Sequence, residues 1–217
     1  MRFADPPFSR LALDNRAVKR FFDILGASAL LIATAPLLAL IAIAVWLGSG
    51  APVFFRHGRI GRAGRRFECL KFRTMVVDAE DWLERDEALA RQHREEGFKL
   101  ALRDDPRVTS VGRFLRRTQL DELPQLWNVL VGDMSLVGPR PLVSEEFDWF
   151  TEEERDRLLS VRPGIFGPWT ARGRARPSYP ERAQLDLSYT DEAGPARDVR
   201  LLIAHLPVLL KGQGDDT

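Results

Sequence analysis

Ile24 to Leu47 read ILGASALLIATAPLLALIAIAVWL, and no charged residue occurs between Ile24 and Phe55. At about 1.5 Å per residue this run just reaches across a hydrocarbon core of roughly 30 Å. Pro36 divides it into two arms of nearly equal length, and proline removes a backbone donor from the helical ladder. Each arm alone extends only about 18 Å, too short to cross. Both flanks are basic, with Arg16, Lys19 and Arg20 before the run and Arg56 to Arg66 after it. Excess Lys and Arg marks cytoplasmic flanks, so both ends are expected on one side of the membrane. The reading is a re-entrant helix-break-helix over residues 16–50, with the membrane break at Pro36. Ser28 and Thr34 stand near enough to support carbonyls freed there. A single spanning helix is the alternative. A cleaved signal peptide fits poorly, because the run is too long and Trp46 and Pro52 do not suit a cleavage site.

Outward from this anchor, residues 1–15 form a polar, proline-containing tail and residues 51–217 a single further domain. The chain of 217 residues carries 32 Lys+Arg against 31 Asp+Glu, so its net charge of +1 excludes no class of partner. Its distribution is more informative. Arg56, Arg59, Arg62, Arg65, Arg66, Lys71 and Arg73 cluster just beyond the anchor and suit phosphates of lipid, nucleotide or nucleic acid. Nucleic acid is disfavoured, since the block lacks interleaved exposed aromatics and adjoins a bilayer segment. The one cysteine, Cys69, precludes an intrachain disulfide and reads as a buried strand thiol.

VFFRH and RFECLKFRTM, separated by Gly58, Gly61 and Gly64, predict a hairpin. Residues 78–97 predict a charged surface helix, residues 105–117 a turn and a short helix, and residues 124–131 a helix with Leu123, Leu126, Trp127 and Leu130 on its apolar side. Residues 145–160 and 180–189 predict helices, and 162–169 a proline-glycine loop. Residues 197–211 predict a C-terminal helix broken near Pro207, lying at an interface or in the core. The fold class is α+β with few strands: a small membrane-associated domain with interfacial amphipathic helices.

The chemistry is concentrated in Leu120–Pro141, LDELPQLWNVLVGDMSLVGPRP. Asp121 and Glu122 directly precede a helix opened by Pro124, where the helix dipole favours ionised carboxylates and bound phosphate. Adjacent acids at a helix start commonly do no more than cap it. Here they are accompanied by Arg116, Arg117 and Arg140, with Lys71 and Arg73 on the KFRTM strand, all able to grip phosphate. An ionised carboxylate is both a nucleophile toward phosphorus and a magnesium ligand, and the residues alone leave the two open. With no histidine in the run, metal-assisted phosphoryl chemistry fits better than ester or peptide hydrolysis.

KRFFD, KFRTM, DPRVTSVGRFLRRTQLDELPQLWNVLVGDMSLVGPRP, RPGIFGPW and GRA together resemble the bacterial sugar transferases, monotopic polyprenol-phosphate phosphoglycosyl transferases, in their short catalytic-domain-only form. The resemblance implies an enzyme that moves a phosphosugar from a UDP-sugar to polyprenol (undecaprenyl) phosphate and releases UMP, initiating exopolysaccharide, O-antigen or related glycan assembly. It implies Asp121 as nucleophile, Glu122 as its dyad partner, both as ligands of a Mg²⁺ cofactor, and Lys71, Arg73, Arg116, Arg140 and Arg174 at the substrate phosphates or nucleotide. The implied location is the bacterial inner membrane, with the catalytic domain on the cytoplasmic face. Membrane lipid, UDP-sugar and polyprenol phosphate are the implied partners, with a homodimer one arrangement open to the chain. A non-catalytic membrane-anchored scaffold is the alternative function; the intact Asp121, Glu122 and Arg140 speak against it. The chain departs from the pattern at Ala35 before the break and at Trp169-Thr170 and Arg172-Gly173-Arg174, so the sugar is not legible.

Overall fold

Apolar and basic residues alternate on either side of Gly61–Gly64, and that period of two gives the expected hairpin. The computed structural model describes residues 8–95, 100, 102–172 and 179–211. Among these, the order is α1 (Phe8–Ser49), β1 (Phe54–Ile60), β2 (Arg66–Phe72), α2 (Ala79–Arg85), α3 (Glu87–Glu95), α4 (Ser110–Thr118), α5 (Gln125–Val131), β3 (Ser135–Val137), α6 (Glu152–Leu159), β4 (Gly164–Phe166), α7 (Tyr179–Asp191) and α8 (Pro195–Lys211). β1 and β2 pair antiparallel, with Phe55 opposite Lys71 and His57 opposite Cys69. β3 and β4 pair in parallel, Ser135 with Gly164 and Val137 with Phe166. The expected α+β class with few strands therefore holds.

Several local expectations change. α1 begins at Phe8, inside the stretch read as a polar tail, and continues through Pro36 as one helix. α8 likewise continues through Pro207. A proline deletes one ladder hydrogen bond; the bonds on either side and the packing of the flanking turns carry the helix past it. Thr34 does bond a carbonyl, but that of Leu30 at 2.7 Å rather than the one Pro36 frees. The charged segment before residue 97 is two short helices, α2 and α3, and the one expected over 145–160 is a 3₁₀ turn (Ser144–Trp149) followed by α6. The proline-glycine loop contains β4. On α5, Trp127 faces outward and Val129, with Leu126, fills the core.

One face of α1 is seated on the domain along most of its length. Ala27 and Leu31 pack with Leu126, Val129 and Met134. Further along, Leu38, Ile41, Ala42 and Val45 pack with Phe72, Val111 and Leu115. The opposite face leaves Phe21, Phe22, Leu25, Ile32, Leu40, Trp46 and Leu47 exposed. α1 is the one helix among the described residues long and apolar enough to cross a membrane, by length and composition.

The KRFFD run locks the start of this seat. Lys19 donates to the Val137 carbonyl and pairs with Asp198. Arg20 donates to the Val129 and Leu130 carbonyls at the end of α5. Asp23, 4% exposed, accepts from Ser135 Oγ and the Leu136 N–H. At the other end of the seat, Arg73 donates to the Ser49 and Gly50 carbonyls.

Candidate active site

The dyad sits on the short connection between α4 and α5. Thr109 caps α4 by accepting from the Gly112 N–H at 2.9 Å. α4 lies so close to the chain after β2 that a Cβ on Gly112 would stand 1.9 Å from the Thr74 carbonyl oxygen. Any larger residue there would push α4 away. Gln119 in the left-handed region ends α4, and Leu120–Glu122 form a 3₁₀ turn before Pro124 and α5. From the other side, Asn128 on α5 accepts from the Leu70 N–H and donates to the Glu68 carbonyl, so its side-chain amide continues the ladder of β2. The dyad is thereby pinned against the hairpin.

Glu122 accepts a hydrogen bond from Lys71 Nζ at 2.6 Å. Burial pushes its carboxyl up, but the Lys71 charge and hydrogen bond, with Arg140 and Arg59, hold it below the usual carboxylate range. Asp121 is 9% exposed. Burial pushes it up to about 6; Lys71 and Arg116 pull it down and Glu122 pushes it further up. Two neighbouring carboxylates thus stand in different states: one fixed in an ion pair, the other desolvated and without a bonded cation among the described residues. That division suits a supporting acid and a reacting one.

Of the cations expected here, the structure brings Lys71, Arg116 and Arg140 to the dyad. Arg116 is held by Thr74 Oγ1 at 2.8 Å and acts on Asp121. Arg140 lies in the loop between β3 and the Ser144–Trp149 turn and acts on Glu122. That loop passes β4 at the Gly138–Gly164 contact, where a Cβ on Gly164 would stand 2.0 Å from the Gly138 nitrogen. Arg73 goes elsewhere. It is buried, holds the C-terminal end of α1, and has no charged group acting on it. β2 ends at Phe72, and Arg73 follows it with Nη2 on the Ser49 and Gly50 carbonyls. Arg174 lies outside the described residues. Cys69 is buried and burial pushes its thiol up, which agrees with a packing thiol.

In the sequence, Arg59 stands only as part of the basic block and Trp169 only as a departure from the family pattern, and nothing brings His57, Arg182 or Asp186 to this site. Arg59, itself buried, donates to the Pro141 carbonyl at 3.1 Å and so holds the Pro-Arg-Pro loop. Its other Nη contacts His57 Nδ1 at 3.1 Å. Beyond Arg140, the Trp169 ring carries Arg182 at 4.5 Å and Arg140 at 5.9 Å from its centroid. Beside it, Asp186 is 4% exposed and burial pushes it up to about 7, opposed by Arg182 and Arg140. Among the described residues, Arg140 Nε, Trp169 Nε1 and Asp186 Oδ1 are buried without a hydrogen-bond partner. Arg59 stood in the basic block without a distinguishing mark, and His57 and Asp186 join the site only through the pairing of β1 and the return of α7.

The donor set fits a magnesium ion. Asp121 and Glu122 adjoin, and only Oε1 of Glu122 is engaged by Lys71. No group of three or more His, Cys, Asp or Glu able to hold a metal is found among the described residues. A magnesium ion is commonly held by one or two carboxylates with substrate phosphate oxygens completing its shell, which is the set this site offers.

The family model described as "Bacterial sugar transferase" matches residues 14–212. The chain is 41% identical over 203 residues to the UDP-galactose-lipid carrier transferase of Erwinia amylovora, covering 92% of this chain and 42% of that protein. It is 40% identical over 206 residues to the undecaprenyl-phosphate galactose phosphotransferase of Salmonella typhimurium, again covering 92% and 42%. It is 40% identical over 197 residues to the exopolysaccharide production protein ExoY of Rhizobium meliloti, covering 90% of this chain and 87% of that protein. The chain thus spans about two fifths of the length of the first two.

Proposed function

This chain belongs to the bacterial sugar transferase family, and from that premise we propose that it is a phosphoglycosyl transferase that moves a phosphosugar from a UDP-sugar to undecaprenyl phosphate. The observation that carries the reading is the unequal dyad: Asp121 desolvated and, among the described residues, without a bonded cation, beside a Glu122 fixed by Lys71, with Arg116 and Arg140 acting on the pair. The printed names of the two longer relatives, a UDP-galactose-lipid carrier transferase and an undecaprenyl-phosphate galactose phosphotransferase, supply the substrate class.

In the first half-reaction an Asp121 carboxylate oxygen attacks the β-phosphorus of the UDP-sugar. The new bond joins Asp121 oxygen to phosphorus. The bond from that phosphorus to the oxygen bridging the two phosphates breaks, and its electron pair leaves with UMP. In the second, a phosphate oxygen of undecaprenyl phosphate attacks the same phosphorus. The Asp121 oxygen–phosphorus bond breaks, and the carboxylate is regenerated. Partial burial raises the energy of an ionised Asp121, so its attack relieves a desolvated charge. Arg140 and Arg116 bind phosphate oxygens. Lys71 keeps Glu122 ionised beside them. Asp121 and Glu122 would hold a magnesium ion, which when bound neutralises phosphate charge.

The membrane arrangement follows from the seat of α1. Lys19 to Leu31 contact α5, β3 and α8, while Leu38 to Ser49 contact β2 and α4. Both ends of the apolar helix rest on one domain, and a straight crossing would draw part of that domain through the bilayer. This supports a monotopic protein inserted by the exposed face of α1 into the cytoplasmic leaflet of the inner membrane, where basic flanks on both sides of the segment belong. Purified protein supplied with undecaprenyl phosphate and a panel of UDP-sugars should release UMP with at least one of them. No UMP release from any sugar would refute the assignment.

A further inference from the structure

Successive side chains of a strand alternate between faces, so Phe55, His57 and Arg59 share one face of the hairpin. Across the register that face carries Lys71, Cys69 and Phe67. His57 is therefore a diagonal neighbour of Lys71, the residue that grips Glu122. A guanidinium has donors and no acceptor. In the 3.1 Å contact between Arg59 Nη2 and His57 Nδ1, Arg59 must donate. Nδ1 then presents its lone pair, and the ring proton resides on Nε2. Arg59 is itself immobilised through the Pro141 carbonyl, so the ring orientation is tied to the loop that carries Arg140.

Charges around the ring disfavour a second proton. Burial, then Arg59, Lys71 and Arg140, push His57 down to about 4, with Glu145 the opposing charge. The imidazole thus stays neutral through the physiological range.

We propose that His57 is a substrate-contacting residue: Arg59 holds it as the neutral Nε2–H tautomer, and Nε2 donates a hydrogen bond to a phosphate oxygen of the substrate at the dyad. This rests on the phosphoryl-transfer reading above. No proton changes hands. A neutral donor adds direction without adding another positive charge to a site already holding Lys71, Arg59 and Arg140, and its strength does not vary between pH 6 and 9 as an imidazolium's would. The phosphate could belong to the nucleotide donor or to the lipid acceptor, and the two half-reactions separate these sources.

The test is kinetics of His57→Ala and His57→Gln, varying UDP-sugar and undecaprenyl phosphate in turn. Glutamine offers a neutral amide N–H close to the position of Nε2. His57→Ala should lower kcat/KM about tenfold or more, the cost of losing a hydrogen bond to a charged group, while His57→Gln stays within about threefold of wild type. A loss confined to the UDP-sugar arm assigns the contact to the donor diphosphate, and one confined to the lipid arm assigns it to the acceptor phosphate. A loss in both assigns it to the phosphate common to the two half-reactions. Equal losses in Ala and Gln, or none in Ala, would overturn the proposal. So would ¹⁵N NMR of histidine-labelled protein at pH 7 giving an imidazolium or an Nδ1–H tautomer for His57. Should the wild type release no UMP at all, the reaction assignment fails on its own. The tautomer and a roughly tenfold weaker binding of UDP by His57→Ala, measured by calorimetry, would still judge His57.

Discussion

Two regions of this protein bury charge, and they treat it in opposite ways. At the start of α1, Lys19, Arg20 and Asp23 each bond to specific partners: the Val137, Val129 and Leu130 carbonyls, Asp198, Ser135 Oγ and the Leu136 N–H. Tyr189 completes the network by donating to Asp198 and the Val137 carbonyl. Around the dyad and Trp169, the atoms Arg140 Nε, Trp169 Nε1 and Asp186 Oδ1 are buried with no hydrogen-bond partner among the described residues, and Asp121 and Asp186 are pushed upward by burial. A satisfied buried network fixes position, and an unsatisfied one holds free energy available to a ligand. The difference teaches that the charge of KRFFD is a joint, while the charge of LDEL and PRP is a site.

Substitutions should therefore divide cleanly. Asp121→Asn should reduce UMP release about a thousandfold or more and leave the thermal midpoint in detergent within a few degrees of wild type. A variant releasing UMP at the wild-type rate would place Asp121 on the joint's side of the comparison. Arg140→Ala should cost about a hundredfold in kcat/KM for the UDP-sugar, again with an unchanged melting curve; unaltered kinetics would remove it from the site.

Asp23→Ala should do the reverse. It strands the Leu136 N–H and leaves the Ser135 hydroxyl only the Val137 carbonyl as acceptor, and should lower stability by about 2 kcal/mol, read by denaturant titration. The fraction that remains folded should turn over at the normal rate, and a rate defect in folded protein would blur the distinction.

The smallest effect belongs to Asp186. Its folded carboxyl lies near 7, above the ordinary value of about 3.9 expected unfolded. The folded state therefore binds more protons between those values, and the contribution of this group to stability is complete below about pH 4 and lost as pH rises through 7. Asp186→Asn, fixed as the neutral form, should fall less in melting temperature between pH 5 and pH 8 than wild type. Identical slopes would mean that Asp186 does not titrate in this range.

Much of this was legible in the residues. The hairpin, α4, α5 and the dyad follow from short-range patterns: alternation around glycines, a Thr109 cap, and two acids before Pro124. Lys71 and Arg140 were legible because their motifs place them near those acids. KFRTM says nothing of where each cation points, so the contact of Arg73 was not legible: β2 ends at Phe72, and the Arg73 guanidinium bonds the end of α1. Pro36 and Pro207 were overread as breaks, since the sequence does not display the packing that carries a helix past a missing bond. His57 and Asp186 were missed, and Arg59 was not told apart from the rest of its basic block, because their meaning arises from pairing across β1 and β2 and from the return of α7, contacts of long sequence separation that local spacing does not encode. The DPR turn offers the same lesson: Arg107 bonds Asp105 through Nε at 2.9 Å and Nη2 at 2.8 Å, so this motif pair braces the approach to α4.

The decisive measurement is mass spectrometry of the protein quenched with UDP-sugar in the absence of lipid acceptor. The account predicts a mass increase of one phosphosugar, located by peptide mapping to Asp121 and discharged on adding undecaprenyl phosphate. UMP release with Asp121 unmodified, or an adduct on a different side chain, would contradict it.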